Sequence, residues 1–289
     1  MKLITVDLAI EQLKQGNLVA FPTETVYGLG APIFNERAVT QIFTAKGRPA
    51  DNPLIAHISS LDQVNEIAMD IPADFYKLAA HFFPGPLTVI LKKHPRVPAI
   101  VSGGLDTIAV RMPRHPIAQQ LISGIGEPVV APSANLSGKP SSTTAQHVLS
   151  DFSGIAGFVV DGGNTELGIE SSVVNLNTKT MLRPGTLTQT EIEAILGYSL
   201  RVAEEKSSPG MRYKHYCPKA RVRLFTNQEA FETYPSSHKY CHLTMSNLYA
   251  VLRAADDQGL EEICIFCDAE MVQNRGLMDR LERASFQQP

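Results

Sequence analysis

Residues 46–57 read Lys46-Gly47-Arg48-Pro49-Ala50-Asp51-Asn52-Pro53-Leu54-Ile55-Ala56-His57. The run has neither a helical nor an alternating period until Leu54, where a short apolar strand begins and carries His57 at its end. Gly47 opens backbone angles closed to other residues, and Pro49 and Pro53 fix their own φ while pushing Arg48 and Asn52 toward extended geometry. The expected product is a stiff loop between a helix and a strand. It offers a compact ammonium and a planar guanidinium, a pairing suited to phosphate or carboxylate oxygens. Taken alone, Lys-x-Arg reads more readily as a solvated basic turn before a strand, so the rest of the chain has to decide.

Upstream, Asp7 can cap a helix through Leu8, Leu13 and Lys14 that Gly16 ends, and Leu18 to Phe21 reads as a buried strand. That strand enters Pro22-Thr23-Glu24-Thr25-Val26-Tyr27-Gly28, a polar loop at a strand end, where α/β proteins place ligand contacts and where ordinary turns also put hydroxyls. Asn35 caps a helix over 36–44 that delivers the chain to Lys46. Downstream come helical patterns over 61–68 and 73–82, a rigid Phe83-Pro84-Gly85-Pro86 turn and a strand over 87–91. Residues 106–113 alternate as a strand with Thr107, Ala109 and Arg111 on one face, either at an edge in water or into a cleft.

A helix over 116–122 and a buried strand over 129–132 lead into a second polar loop, Ser133-Ala134-Asn135-Leu136-Ser137-Gly138-Lys139-Pro140-Ser141-Ser142. Ser142 or Thr143 can cap the helix that follows, and N–H groups at its start could meet an anion. Strands at 158–160, 171–175 and 181–183 follow, and Thr188 with Glu191 forms a capping box. Helices alternating with strands predict an α/β fold with a mixed sheet.

The character changes near residue 200. Glu204 to Gly210 reads as a linker, and the basic, aromatic Met211 to Pro218 should pack on something. A small α/β unit follows, with strands at 222–225 and 263–267 and helices at 246–258 and 275–284; residues 229–246 carry little pattern. The expected organisation is a catalytic domain over 1–200, a linker over 201–219 and a small C-terminal domain over 220–289.

Composition bounds the function. An apolar fraction of 44% supports a real core, and a net charge of −3 gives no global basic field for nucleic acid, so a polyanion site would be local. There is no run of about 18 apolar residues and no secretory pattern at the amino terminus, so the expectation is a cytoplasmic protein without a membrane span. Four cysteines without a spacing framework suit a reducing compartment. Cys264 and Cys267 form a C-x-x-C inside an apolar strand and read as structural. No Ser-His-Asp order or metalloprotease helix is visible, and Glu24, Asp51 and Glu170 cannot be paired as acid and base from spacing alone.

Several of these stretches, in order, resemble one family. They are Phe21-Pro22-Thr23-Glu24-Thr25-Val26-Tyr27-Gly28-Leu29, the run from Lys46 to His57, Pro84-Gly85-Pro86-Leu87-Thr88 and Ile108-Ala109-Val110-Arg111-Met112-Pro113. Ala131-Pro132-Ser133-Ala134-Asn135-Leu136-Ser137-Gly138, Glu170-Ser171-Ser172-Val173-Val174 and Leu182-Arg183-Pro184-Gly185 complete them. Together they resemble the YrdC/Sua5 family of threonylcarbamoyl-AMP synthases. Ser208-Pro209-Gly210-Met211-Arg212-Tyr213-Lys214-His215-Tyr216 and Asn274-Arg275-Gly276-Leu277-Met278-Asp279-Arg280-Leu281 look like the long, two-domain Sua5 form, here with a shortened second domain.

The resemblance implies a twisted, mixed open sheet of YrdC type with a second, smaller α/β domain. It implies a nucleotidyltransferase that condenses L-threonine, bicarbonate and ATP, with Mg2+, into threonylcarbamoyl-AMP and pyrophosphate. Downstream threonylcarbamoyl transferase proteins would then complete the t6A modification of tRNA. By the same resemblance Lys46 and Arg48 are the phosphate-binding, catalytic cations, and Thr107, Ser133, Asn135, Ser141 and Arg183 are further ATP contacts. Thr23, His57, Arg111 and Ser171 line a threonine pocket, Tyr213 belongs to a cover over the site, and no metal ligand is implied beyond ATP itself. The alternative is the same fold binding double-stranded RNA or tRNA without catalysis, which the negative net charge weakens; direct tRNA binding stays open.

Overall fold

The computed structural model describes residues 1–203 and 216–286. Tyr213 and most of the expected linker lie outside the described residues. Among those described, no helix is long and apolar enough to cross a membrane.

The first unit begins with a short strand, Lys2–Leu3 (β1), and a helix, Val6–Lys14 (α1). Thr5, not Asp7, caps that helix by accepting the Leu8 N–H, and Asp7 sits in the first turn, where a carboxylate suits the helix dipole. Val19–Phe21 (β2) and Gly28–Pro32 (β3) flank the Thr23 loop. Asn35 caps Glu36–Lys46 (α2), which runs two residues further than its sequence suggests and stops at Gly47, whose φ of 61° is the left-handed angle that ends helices. Ile55–His57 (β4) follows.

The helix expected over 61–68 shrinks to Val64–Ile67 (α3), because the next residues, Ala68–Met69 (β5), pair with Lys93 and Lys92 instead. Tertiary pairing overrides local propensity there. Ala73–Phe82 (α4), Leu87–Lys93 (β6) and Thr107–Arg111 (β7) come next, then Pro116–Ile125 (α5) and Val129–Val130 (β8). Ala145–Asp151 (α6) is capped by Thr144, one residue beyond the two candidates. Phe158–Val159 (β9), Ser172–Asn175 (β10), Thr180–Arg183 (β11) and Gln189–Leu196 (α7) follow, the last with its capping box formed. Arg201–Val202 (β12) extends the sheet into the stretch read as linker.

These strands make one twisted, mixed sheet in the order β1-β9-β2-β3-β8-β4-β7-β6-β10-β11-β12, with β5 on β6. The central register sets up the site. His57 on β4 lies opposite Arg111 on parallel β7 and Val129 on antiparallel β8. One row further along, Thr180, Asn175, Ile90, Ala109 and Ile55 stand side by side on five neighbouring strands. Helices α2, α4, α6 and α7 cover one apolar cluster, and α1 with α5 packs Leu13, Leu121 and Ile122 against Phe21 and Val129 in another.

The second unit contains Arg221–Phe225 (β13), Gln228–Thr233 (α8), Lys239–Tyr240 (β14), Leu248–Asp257 (α9), Glu262–Phe266 (β15), Ala269–Gln273 (α10) and Arg275–Ser285 (α11). Its three strands are parallel, in the order β13-β15-β14. The segment with little sequence pattern holds α8 and the two-residue β14, both too short to show a period. Cys264 and Cys267 are buried, the first within β15 and the second just beyond it, and both thiols are free, as their surroundings suggest for structural cysteines. Val26 and Ile169 of the first unit join the second unit's apolar cluster, so the two share a buried contact.

Candidate functional site

One face of the large sheet forms the floor of a cavity of about 780 Å³. Ile55, Ile90, Ala109, Asn175 and Thr180, the row of aligned residues, all line it, as do Thr107 and Arg111 from the same face of β7. The alternation read in residues 106–113 thus points into a cleft and not to an edge in water.

At one end stand His57 and Arg111, paired across β4 and β7. Arg111 is only 4% exposed and lies 2.8 Å from the carboxylate of Glu24, itself 2% exposed. That contact is off the line of the N–H, an ion pair more than a directed hydrogen bond, so Arg111 Nη2 and Glu24 Oε1 retain hydrogen-bonding capacity. Arg111 Nη1 donates to Thr25 Oγ1 at 2.9 Å, and Glu24 Oε2 accepts the Arg114 N–H at 3.0 Å. Burial raises the Glu24 pKa, but the Arg111 charge and the hydrogen bonds outweigh it and hold the carboxyl below its ordinary value. Burial, helped by the Arg111 charge, lowers the His57 imidazole to about 3, so it is neutral at physiological pH. Its Nδ1 lies 3.2 Å from the Ile55 carbonyl.

Thr23 lines the same end, with its hydroxyl closing its own turn: it donates to the Val26 carbonyl at 2.6 Å and accepts the Thr25 and Val26 N–H groups. Ser171 Oγ lies 2.7 Å from Thr88 Oγ1 and accepts from Arg183 Nη2 at 3.1 Å. Arg183 Nε also donates to the Ser171 carbonyl at 3.0 Å, which fixes a cation beside the start of β10.

Towards the other end lie Arg48, Ser133 and Asn135. Arg48 donates through Nε and Nη2 to the Asn52 and Pro53 carbonyls of its own loop, and burial lowers it to about 10, which leaves it cationic at neutral pH. Lys46 does not line the cavity. It is buried beneath the second polar loop, where its ammonium donates to the carbonyls of Ser133 and Asn135. Burial, with Arg48 nearby, holds it well below the usual ammonium range, and an arriving anion would raise it. An ammonium has three N–H donors, so one remains after these two bonds.

Ser141 also stands back from the cavity. It is fully buried and donates its hydroxyl to Glu170, which does line the wall. Of the residues expected at the site, Thr23, Arg48, His57, Thr107, Arg111, Ser133, Asn135, Ser171 and Arg183 come together around one space; Lys46 and Ser141 support its wall from behind. Among the described residues no group of three or more His, Cys, Asp or Glu side chains stands where it could hold a metal ion.

The sequence does not single out Asn52, yet it is buried, lines the cavity and has a side-chain Nδ2 with no hydrogen-bond partner. Its position inside the opening motif, four residues beyond Arg48, is the signal that could have marked it. Asn135 is complementary: its Nδ2 donates to two carbonyls, and its Oδ1 is a buried acceptor without a partner. A cavity with a neutral imidazole and a guanidinium at one end and cations, a donor amide and hydroxyls towards the other suits a zwitterion beside a polyanion.

Comparison with known proteins shows the family and the fold. A family model of Sua5, YciO and YrdC proteins, described as telomere recombination, matches residues 11–185. A second model, the threonylcarbamoyl-AMP synthase C-terminal domain, matches residues 187–285. The threonylcarbamoyl-AMP synthase of Pyrococcus abyssi is 50% identical over 220 residues, 73% of this chain and 64% of that protein. That of Bacillus subtilis is 38% identical over 313 aligned positions, 94% of this chain and 90% of that protein. The crystal structure of P. abyssi Sua5 complexed with L-threonine superposes with a TM-score of 0.90 at 39% identity, covering 97% of this chain and 94% of that one. With both models matched in sequence order and the fold shared over nearly its whole length, the chain belongs to the Sua5/YciO/YrdC family, in its two-domain form.

Proposed function

We propose that the chain is a threonylcarbamoyl-AMP synthase, joining L-threonine, bicarbonate and ATP into threonylcarbamoyl-AMP with release of pyrophosphate. The observation that carries the reading is one cavity lined both by the paired His57 and Arg111 and by Arg48, Ser133 and Asn135, with Arg183 held against Ser171 in the same wall. The curated relatives support it by name, and the P. abyssi protein supports it as a threonine complex.

The threonine amine attacks the bicarbonate carbon, a C–O bond of bicarbonate breaks and its hydroxyl leaves with an amine proton as water. An oxygen of the resulting carbamate attacks the α-phosphorus of ATP while the bond to the pyrophosphate oxygen breaks. Both reactants are negatively charged, so alignment and charge screening are what the protein can add. Arg111, backed by Glu24, Thr25 and Gly85, is aimed by those partners and takes the amino-acid carboxylate. The neutral His57 ring beside it adds no charge and suits the threonine hydroxyl. Ser171 and Thr23 complete that end. Arg48 and Arg183 face the phosphates, Lys46 supports them from behind the Ser133 loop, and Thr107, Ser133 and Asn135 meet other parts of the nucleotide. Ser141 acts there through its position in the loop wall. Mg2+, carried in on ATP, would spread the charge of its phosphate oxygens.

The chain divides into a catalytic part over 1–200, a linker over 201–219 and a C-terminal part over 220–289. The protein acts in the cytoplasm and passes its adenylate to threonylcarbamoyl transferase proteins that modify tRNA. The test is pyrophosphate release with ATP, threonine and bicarbonate, and with each left out in turn. Dependence on both threonine and bicarbonate is expected; ATP hydrolysis indifferent to threonine would refute the assignment.

A further inference from the structure

Two arginines of the second unit reach back into the loops that wall the cavity. Arg280, on α11, is fully buried and donates through Nε to Glu170 Oε2 at 3.0 Å, through Nη2 to the Glu170 carbonyl at 3.3 Å and through Nη1 to the Pro184 carbonyl at 2.6 Å. Glu170 accepts two further donors, Tyr249 OH at 2.9 Å from α9 and the Ser141 hydroxyl. Glu170 directly precedes Ser171, and Pro184 directly follows Arg183. One guanidinium therefore ties together the two backbone segments that carry Ser171 and Arg183, and through Glu170 it reaches Ser141.

The backbones approach closely enough for this only because two glycines allow it. A Cβ on Gly276 of α11 would lie 2.5 Å from the Gly185 carbonyl oxygen, and a Cβ on Gly185 would lie 2.4 Å from the Ser172 nitrogen. Helix, turn and strand start are stacked without a side chain between them. On α9, Arg253 grips the loop on its other side, donating to the Pro140 carbonyl at 2.5 Å, the Ser141 carbonyl at 3.3 Å and Asp151 Oδ2 at 2.8 Å. His57 and Arg111 have no such dependence, since they are fixed by the pairing of β4 with β7 and by Glu24, whereas Ser171 sits on the segment that Arg280 holds.

We propose that Arg280 is a positioning residue for nucleotide binding: by holding Glu170 and Pro184 it sets where Ser141 and Arg183 stand, so the small second unit builds one end of the cavity. A buried ion pair adds little stability over apolar packing of the same volume, whereas a fork spanning three acceptors on two segments fixes their geometry. The inference rests on the synthase reading. It gives the Asn274 to Leu281 motif, which contains both Gly276 and Arg280, a structural role.

The test uses the full chain, with ATP and threonine varied separately in steady-state pyrophosphate release and thermal unfolding measured in parallel. Arg280→Met and Gly276→Ala are each expected to raise KM for ATP about tenfold or more and KM for threonine less, by about threefold, because Ser171 shares the held segment while His57 and Arg111 do not. Arg280→Lys, which keeps the charge but cannot span both segments, is expected to fall between. If Arg280→Met does not fold, the double variant Glu170→Gln/Arg280→Met, which leaves no unpaired carboxylate, is read in the same way alongside Gly276→Ala. Folded variants with unchanged KM for ATP, or equal rises for both substrates, would overturn the proposal. Failure of the function reading looks different: the unaltered chain then shows no threonine-dependent turnover, and calorimetric ATP binding to the same variants still reads the Arg280 effect.

Discussion

At the His57 end of the cavity the charges are answered within one sheet, Arg111 by Glu24 across a short loop and His57 by burial beside its strand neighbours. At the Arg48 end they are answered by loop carbonyls and by helices from the second unit. The first arrangement gives a small, electrically quiet pocket, and the second gives a region of surplus positive charge whose walls depend on docking between units. A substrate of fixed size and balanced charge suits the former, and a flexible polyphosphate suits the latter.

The comparison breaks most visibly at Arg111. Arg111→Met strands a buried carboxylate, with an expected loss of about 3–5 kcal/mol in unfolding free energy and loss of threonine-dependent turnover. Denaturant unfolding together with pyrophosphate release checks it. Adding Glu24→Gln should recover much of the stability and none of the turnover; recovery of both would mean that Arg111 serves the fold alone.

Lys46 tests the other end. Lys46→Ala removes a cation from behind the Ser133 loop, and turnover is expected to fall by about 10²–10³-fold in a chain that still folds. Releasing the Ser133 and Asn135 carbonyls costs about 1–3 kcal/mol, which unfolding measurements can separate from the catalytic loss. Near-normal turnover would remove Lys46 from the reaction.

A smaller effect is expected from acid. Burial raises Glu170, but Arg280, Arg183 and the Ser141 hydrogen bond bring it down to about 2 from 4.5. The unfolded chain then binds the extra proton between those values, so this contribution to stability is complete above about pH 4.5 and fades as pH falls towards 2. His57 behaves alike in a higher window: with a folded value of about 3 against 6.5, its part of the stability declines as pH falls from 6.5 towards 3. Acid unfolding curves of Glu170→Gln and His57→Gln should each flatten in their own window. A flattening above pH 4.5 in Glu170→Gln would mean that the two groups are not held independently.

Much of the scaffold was legible in the sequence because it depends on neighbours. Asn35, the Thr188–Glu191 box and the alternation of Thr107, Ala109 and Arg111 each announce themselves within a few residues, and the structure forms all three. The site partners were not legible. Glu24 meets Arg111, Glu170 meets Arg280, and Lys46 meets the Ser133 carbonyl only through strand order and domain docking, which no local period encodes. Lys46 and Ser141 read as contacts facing a ligand, yet they lie behind the wall, because distance from a cavity is a property of the fold and not of a motif. The α3 to β5 segment reads as helix for a related reason: its ending depends on Lys92 and Lys93, far along the chain.

The alignment of His57 with Arg111 has one more consequence. Side chains alternate along a strand, so a slip of β4 against β7 by a single residue would turn His57 to the opposite face of the sheet while Arg111, held by β6, stays. If His57 and Arg111 bind threonine as proposed, amino-acid selectivity is partly a matter of folding fidelity. A misregistered molecule would lose its means of telling one amino acid from another before it lost its shape, which makes substrate discrimination a more sensitive gauge of correct assembly than secondary-structure content.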